Sequence, residues 1–207
     1  DVYCEAMLRL ARTGFPYMYP FEQEACEDYD PICTFNEPTE SPLTDDEYPL
    51  VITTGRLPHF HHGTMRHAPF IRELMPAPLL RINPQTADEY GIADGDWVKV
   101  TSRRASTHAM AQVTQGIAPG VLLTERFWNP ECFDDTQESI TPGIEECGYN
   151  CLSADSFQNP AFATNSYRAF TVKIEKGEKP ERVWTQAKEF EPFMPTLQGE
   201  PTTPEVF

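Results

Sequence analysis

Turn signals break the stretch from Leu79 to Thr124 every ~8–12 residues, which leaves room for short strands and little else. Leu79-Leu-Arg-Ile82 reads as a strand. Asn83-Pro-Gln-Thr-Ala-Asp-Glu-Tyr-Gly91 follows as a short helix, with Asn as cap, Pro in the first turn and Gly just past the end. Ala93-Asp-Gly-Asp96 is a tight turn. Trp97–Thr101 alternates as a half-buried strand, Ser102–Ala105 turns, and Thr107–Val113 returns. Gly116–Gly120 turns again into Val121–Thr124. With a buried strand at Leu50–Thr53, one or two helical turns at Pro69–Met75 and a strand at Tyr167–Ile174, the pattern predicts a small closed β-barrel.

The first of these strands opens into an unusual loop. It stops at Gly55, where backbone can turn or approach a ligand closely. Donors then crowd in: Thr54, Arg56, His59, His61, His62, Thr64, Arg66 and His67. Hydroxyls, imidazoles and guanidinium groups around a glycine break suit an oxyanion such as phosphate. The four imidazoles could instead hold zinc, but no carboxylate or thiolate is near in sequence and the arginines repel a cation.

Charge supports an anionic ligand. The formal net charge is −16. Residues 1–47 carry 12 acids and 2 bases, residues 48–130 carry 6 and 8, and residues 131–207 carry 14 and 6. All five histidines lie in the middle block. Acidic flanks disfavour nucleic acid and anionic membranes as partners, while the basic island suits a small anion or a neutral core with solvated extensions. No apolar run approaches the ~20 residues of a membrane span, so direct membrane insertion is not expected. The cysteines (Cys4, Cys26, Cys33, Cys132, Cys147, Cys151) match no zinc or iron–sulfur spacing and read as reduced thiols, with Cys26–Cys33 and Cys147–Cys151 as possible disulfides. Three regions are expected: an extended acidic lead-in over 1–47, continuing from a preceding part of a longer chain, a folded unit over 48–176, and an extended acidic tail over 177–207. Arg103-Arg104 reads as a solvated hairpin tip. Residues 127–165 lose periodicity, and a connection of that length is functional or disordered.

Taken in order, Thr54-Gly-Arg-Leu-Pro-His-Phe-His-His-Gly-Thr-Met65, Ile82-Asn-Pro-Gln-Thr-Ala-Asp-Glu-Tyr-Gly-Ile-Ala-Asp-Gly-Asp-Trp-Val-Lys-Val-Thr-Ser-Arg-Arg104, Val113-Thr-Gln-Gly-Ile-Ala-Pro-Gly-Val121, Asn150-Cys-Leu-Ser153 and Tyr167-Arg-Ala-Phe-Thr-Val-Lys-Ile174 form a pattern. It resembles the C-terminal dinucleotide-binding domain of the dimethyl-sulfoxide-reductase family of molybdenum and tungsten oxidoreductases. The likeness covers roughly residues 48–176. It implies a mainly β fold, a six-stranded double-psi β-barrel of the aspartate-decarboxylase-like type, with short helices and extended acidic N- and C-terminal segments. It also implies a cofactor: molybdopterin guanine dinucleotide carrying Mo or W.

Position by position, the resemblance puts Thr54, Gly55 and Arg56 along the phosphate-bearing part. His59, His61, His62, Gly63 and Thr64 fall in the donor loop, although many relatives have Thr where His62 stands. Asn150 would reach a pterin, and Tyr167 and Arg168 would lie beside the cofactor. The residue that ligates the metal belongs to an earlier domain of the family, so no catalytic or metal-binding residue is expected here. The implied partners are the remaining domains of the parent enzyme and an iron–sulfur electron-transfer subunit. Two other readings stay open: a free-standing barrel that binds protein, and a self-contained decarboxylase. The latter needs a self-processing Gly-Ser pair, which the sequence lacks.

Overall fold

The computed structural model describes residues 35, 38–43, 45–59, 61, 62, 64, 69–125, 147–154, 157–159, 164, 165 and 168–180. Six strands close into a barrel: β1 (Leu50–Gly55), β2 (Leu79–Ile82), β3 (Trp97–Thr101), β4 (Ser106–Val113), β5 (Val121–Glu125) and β8 (Phe170–Lys176). A short hairpin, β6 (Phe157–Asn159) with β7 (Thr164–Asn165), lies outside it. Two helices of one to two turns, α1 (Pro69–Leu74) and α2 (Pro84–Glu89), flank β2.

Around the barrel the order is β1-β5-β2-β4-β3-β8. β1 with β5 and β2 with β4 are parallel pairs, and the other four contacts are antiparallel. Advancing every strand three places along the chain (β1 to β4, β2 to β5, β3 to β8) returns the same neighbours, so the barrel has an internal pseudo-two-fold. This is the double-psi β-barrel.

Alternation fills the interior. Val98 and Val100 of β3, Leu80 and Ile82 of β2, Ile52 of β1, Leu122 of β5 and Val172 of β8 are all essentially inaccessible to solvent. Each such side chain contributes about 1.5–3 kcal/mol relative to exposure.

The end holding the start of β1 and the end of β4 is stapled by turn chemistry. The side chain of Asn83 accepts from the Gln85 N–H at 2.9 Å, capping α2, and its amide donates to the Ile117 carbonyl at 2.7 Å. Thr86 accepts from the Gly120 N–H, and Asp94 from the Val113 N–H. Gly95 and Gly120 adopt φ of 82° and 76°, which glycine reaches without steric cost. The polar residues of the 82–96 motif therefore hold strand ends together.

A strap formed by residues 38–43 and 45–48 runs along the barrel, and the β3–β4 turn clamps it. Arg103 bonds Asp45, whose carboxylate also accepts from the Glu47 and Tyr48 amides and the Thr171 hydroxyl. Arg104 forks onto Glu40. Both Arg103 and Lys173 lie over the Tyr48 ring, at 5.3 and 4.9 Å from its centroid. Arg103-Arg104 is exposed at the tip of the β3–β4 turn, as expected, but the two side chains also pair with strap carboxylates. The acids that pair with these arginines are about 60 residues away in sequence and invisible to local reasoning.

The Arg104 hydrogen bond holds the Glu40 carboxyl below its ordinary 4.5. Burial would raise Asp45, but the Tyr48 amide and Arg103 outweigh it, leaving it below 3.8. Groups depressed in the folded state contribute stability above their unfolded pKa and lose it as pH falls through the folded one. Protection factors of the Glu47 and Tyr48 amides should therefore stay level from about pH 7 to 5 and fall below about pH 4. In Arg103→Ala they should already be low at neutral pH.

Candidate functional site at the barrel mouth

Because β1 and β5 run parallel, both end at the same mouth, with Thr54 beside Thr124 and Gly55 beside Glu125. The two strands then differ. Thr124 donates its hydroxyl to the Leu79 carbonyl at 3.0 Å, and Glu125 accepts from the Leu79 N–H at 2.6 Å. The side chains of β5 thus satisfy the first peptide groups of β2. The hydroxyl of Thr54 is buried and has no hydrogen-bond partner among the described residues. Leaving such a group unsatisfied costs about 1–3 kcal/mol. Next to it, a Cβ on Gly55 would meet the end of the Leu123 side chain at 3.0 Å, so a larger residue there would press on that leucine.

Beyond Gly55 the chain turns outward. Arg56, His59, His61, His62 and Thr64 are all exposed. His61 and Thr64 form an isolated bridge, with the Thr64 N–H donating to the His61 carbonyl at 3.0 Å. His62 takes φ 55°, in the left-handed region, as tight turns of the primed types require at their first central position. Its ring meets that of His61 edge-on at 4.9 Å. The loop presents its imidazoles and guanidinium to solvent at the mouth. Gly63 and Tyr167, both expected in the site, lie outside the described residues.

A 3-10 turn, Tyr149–Cys151, plugs this mouth. A small cavity beneath it is lined by Ile52, Leu80, Thr107, Thr124, Tyr149 and Leu152. Tyr149 and Leu152 are buried, with Tyr149 against Phe170 at 5.5 Å between ring centroids. Ser153 donates its hydroxyl to the Asn150 carbonyl at 3.0 Å. The motif Asn150-Cys-Leu-Ser153 is thus a turn anchored on both sides, leaving the Asn150 side chain exposed. Cys147 and Cys151 are thiols, not a disulfide.

Arg168 reaches the same end by register. β8 runs antiparallel to β1, with Phe170 beside Ile52. Arg168 precedes the start of β8 by two residues, in a bend, and is exposed. The mouth therefore gathers Thr54, Gly55, Arg56, Asn150 and Arg168 from three segments of the chain. Among the described residues, no three His, Cys, Asp or Glu side chains could hold a metal ion together.

Two residues at this mouth escaped sequence reasoning. Glu125 is a buried carboxylate whose partner is a peptide N–H 46 positions away. Arg104 donates from Nε to the Leu152 carbonyl at 2.8 Å, tying the plug to the β3–β4 turn. Neither contact has a local sequence signal.

The chain is similar to several known proteins. A dopamine dehydroxylase of Eggerthella lenta is 37% identical over 148 residues, which cover 69% of this chain and 14% of that one. The F420-dependent formate dehydrogenase subunit alpha of Methanocaldococcus jannaschii is 42% identical over 83 residues, covering 39% and 12%. The chain thus spans about a seventh of the length of these relatives or less. Among solved structures, the acetylene hydratase of Pelobacter acetylenicus superposes with a TM-score of 0.63 at 19% identity, over 73% of this chain and 22% of that one, a likeness of fold. Residues 50–167, which hold five of the six barrel strands, match the family described as the molydopterin dinucleotide binding domain, and the chain belongs to that family.

Proposed function

We propose that this chain is the cofactor-holding part of a molybdenum or tungsten oxidoreductase, with its mouth on the pterin and pyrophosphate parts of molybdopterin guanine dinucleotide. The observation that carries this reading is the buried hydroxyl of Thr54, without a partner among the described residues, at the strand end that opens into an arginine- and histidine-bearing loop. A polar ligand group would satisfy that hydroxyl, and the loop's donors suit an anion. The donor set therefore fits a pyrophosphate-bearing cofactor.

In this reading Thr54, the backbone at Gly55 and Arg56 line the phosphates. His59, His61, His62, Gly63 and Thr64 add donors around them. Asn150, whose amide both donates and accepts, meets a pterin edge, and Tyr167 and Arg168 flank it. When bound, the cofactor supplies the redox or oxygen-atom chemistry at its metal, while the protein binds, orients and sets the electrostatics. The residue that ligates the metal, the remaining domains and an iron–sulfur partner subunit lie outside this chain. Relatives named for dehydroxylation and formate oxidation share this domain, so it serves cofactor retention and leaves substrate choice to the rest of the enzyme. The domain division proposed is a barrel over 48–176 between extended acidic segments, of which residues 38–43 and 45–47 lie on the barrel itself.

Metal and pterin analysis of the full-length enzyme tests the reading. The wild type should carry Mo or W with two pterins per chain. Arg56→Ala and His61→Ala should each weaken retention by about 10-fold or more, the effect of losing one charge-assisted hydrogen bond. Wild-type occupancy in both variants would overturn the reading. Thr54→Val gives a second measurement. It should leave the cofactor-free protein as stable or more stable by about 1 kcal/mol in denaturant unfolding, because an unsatisfied hydroxyl is removed. It should also weaken cofactor retention.

A further inference from the structure

Arg104 sits between the two segments that bring Asn150 and Arg168 to the mouth, and it touches both. Its Nε donates to the Leu152 carbonyl at 2.8 Å, two residues beyond Asn150. Its guanidinium lies over the Phe170 ring, 5.5 Å from the centroid and two residues beyond Arg168. Its two terminal nitrogens fork onto the Glu40 carboxylate. The Tyr149–Phe170 ring contact joins plug and strand a second time. Ser102, 3% exposed, fixes the turn that carries the arginine by accepting from the Arg104 and Ala105 amides.

We propose that Arg104 is a positioning residue for the cofactor. It sets the separation between the Asn150 turn and the start of β8, and so the spacing of the two side chains that face the ligand. The proposal rests on the cofactor role assigned above to Asn150 and Arg168. Its chemistry is specific to arginine. Only a planar guanidinium can put Nε on one acceptor, fork onto a carboxylate and stack on a ring at once. A lysine keeps the charge and loses that geometry. Arg103 is the natural control, because it holds the same strap through Asp45, and no described bond links it to the plug.

The test is a double-mutant cycle on the full-length, cofactor-loaded enzyme. The readout is the rate at which metal and pterin are lost after removal of free cofactor. Arg104→Ala and Arg104→Lys should each speed loss by ~5-fold or more, within the range found for coupled neighbours, while Arg103→Ala stays within ~2-fold of wild type. In an Asn150→Ala background, Arg104→Ala should add little further loss, because the two act through one contact. Were Arg104→Ala to fail to fold, Arg104→Gln would be read the same way, since it keeps part of the aliphatic stem and loses the guanidinium that lies over Phe170. Full multiplication of the Arg104 and Asn150 effects would overturn the proposal. So would an effect of Arg103→Ala equal to that of Arg104→Ala, or wild-type retention in every Arg104 variant. If Asn150→Ala alone changed nothing, the assigned contact at Asn150 would be wrong and this proposal would fall with it. A wild-type enzyme with no pterin would sink the cofactor reading itself.

Discussion

The parallel pairing of β1 with β5 is the constraint on which the rest depends. Two strands joined by a tight turn must run antiparallel, so a parallel pair forces the chain to travel across the barrel between them. Here that journey builds β2, β3 and β4 before the chain returns beside β1. The reward is directional. Both strands finish at the same end, and the peptide chain leaving each is delivered to one mouth. The buried threonine, the glycine packed against Leu123 and the donor loop are placed together by that pairing.

The two ends of the barrel use polar residues in opposite ways. At the far end, Asn83, Thr86, Asp94 and Asp96 each spend their oxygens on backbone amides of the same unit. At the mouth, Glu125 accepts from the Leu79 N–H and Thr124 donates to the Leu79 carbonyl, yet the Thr54 hydroxyl has no partner among the described residues. A hydroxyl left without a partner amid such thorough pairing is informative because its neighbours are satisfied. The same contrast holds for charge. Strap carboxylates engage Arg103 and Arg104 of the β3–β4 turn, while Arg56 stands exposed at the end of β1.

Much of this was legible in the sequence, for a physical reason. Strands, caps and turns depend on neighbours a few residues away, and their signals are local. Asn83 as cap, the glycines after α2 and in the Asp-Gly turn, and the alternation of Trp97–Thr101 are all found where the pattern puts them. The order of motifs also pointed to the barrel. What could not be read were contacts between distant segments. Arg103 and Arg104 resemble any polar hairpin tip until Asp45 and Glu40 are brought beside them. Glu125 resembles a solvated acid until β2 begins against it. Asn150 could be named by its motif, but only the burial of Tyr149 and Leu152 explains why it is held outward.

The pseudo-two-fold order carries one more consequence. Call β1–β3 one half and β4, β5 and β8 the other. Every strand in either half hydrogen-bonds only to strands of the opposite half. A polypeptide of just three strands would hold no sheet of its own. It would gain every ladder at once by meeting a second copy of itself. The fold is built as two interlocked subunits would be, and a single covalent link between β3 and β4 turns that assembly into one chain.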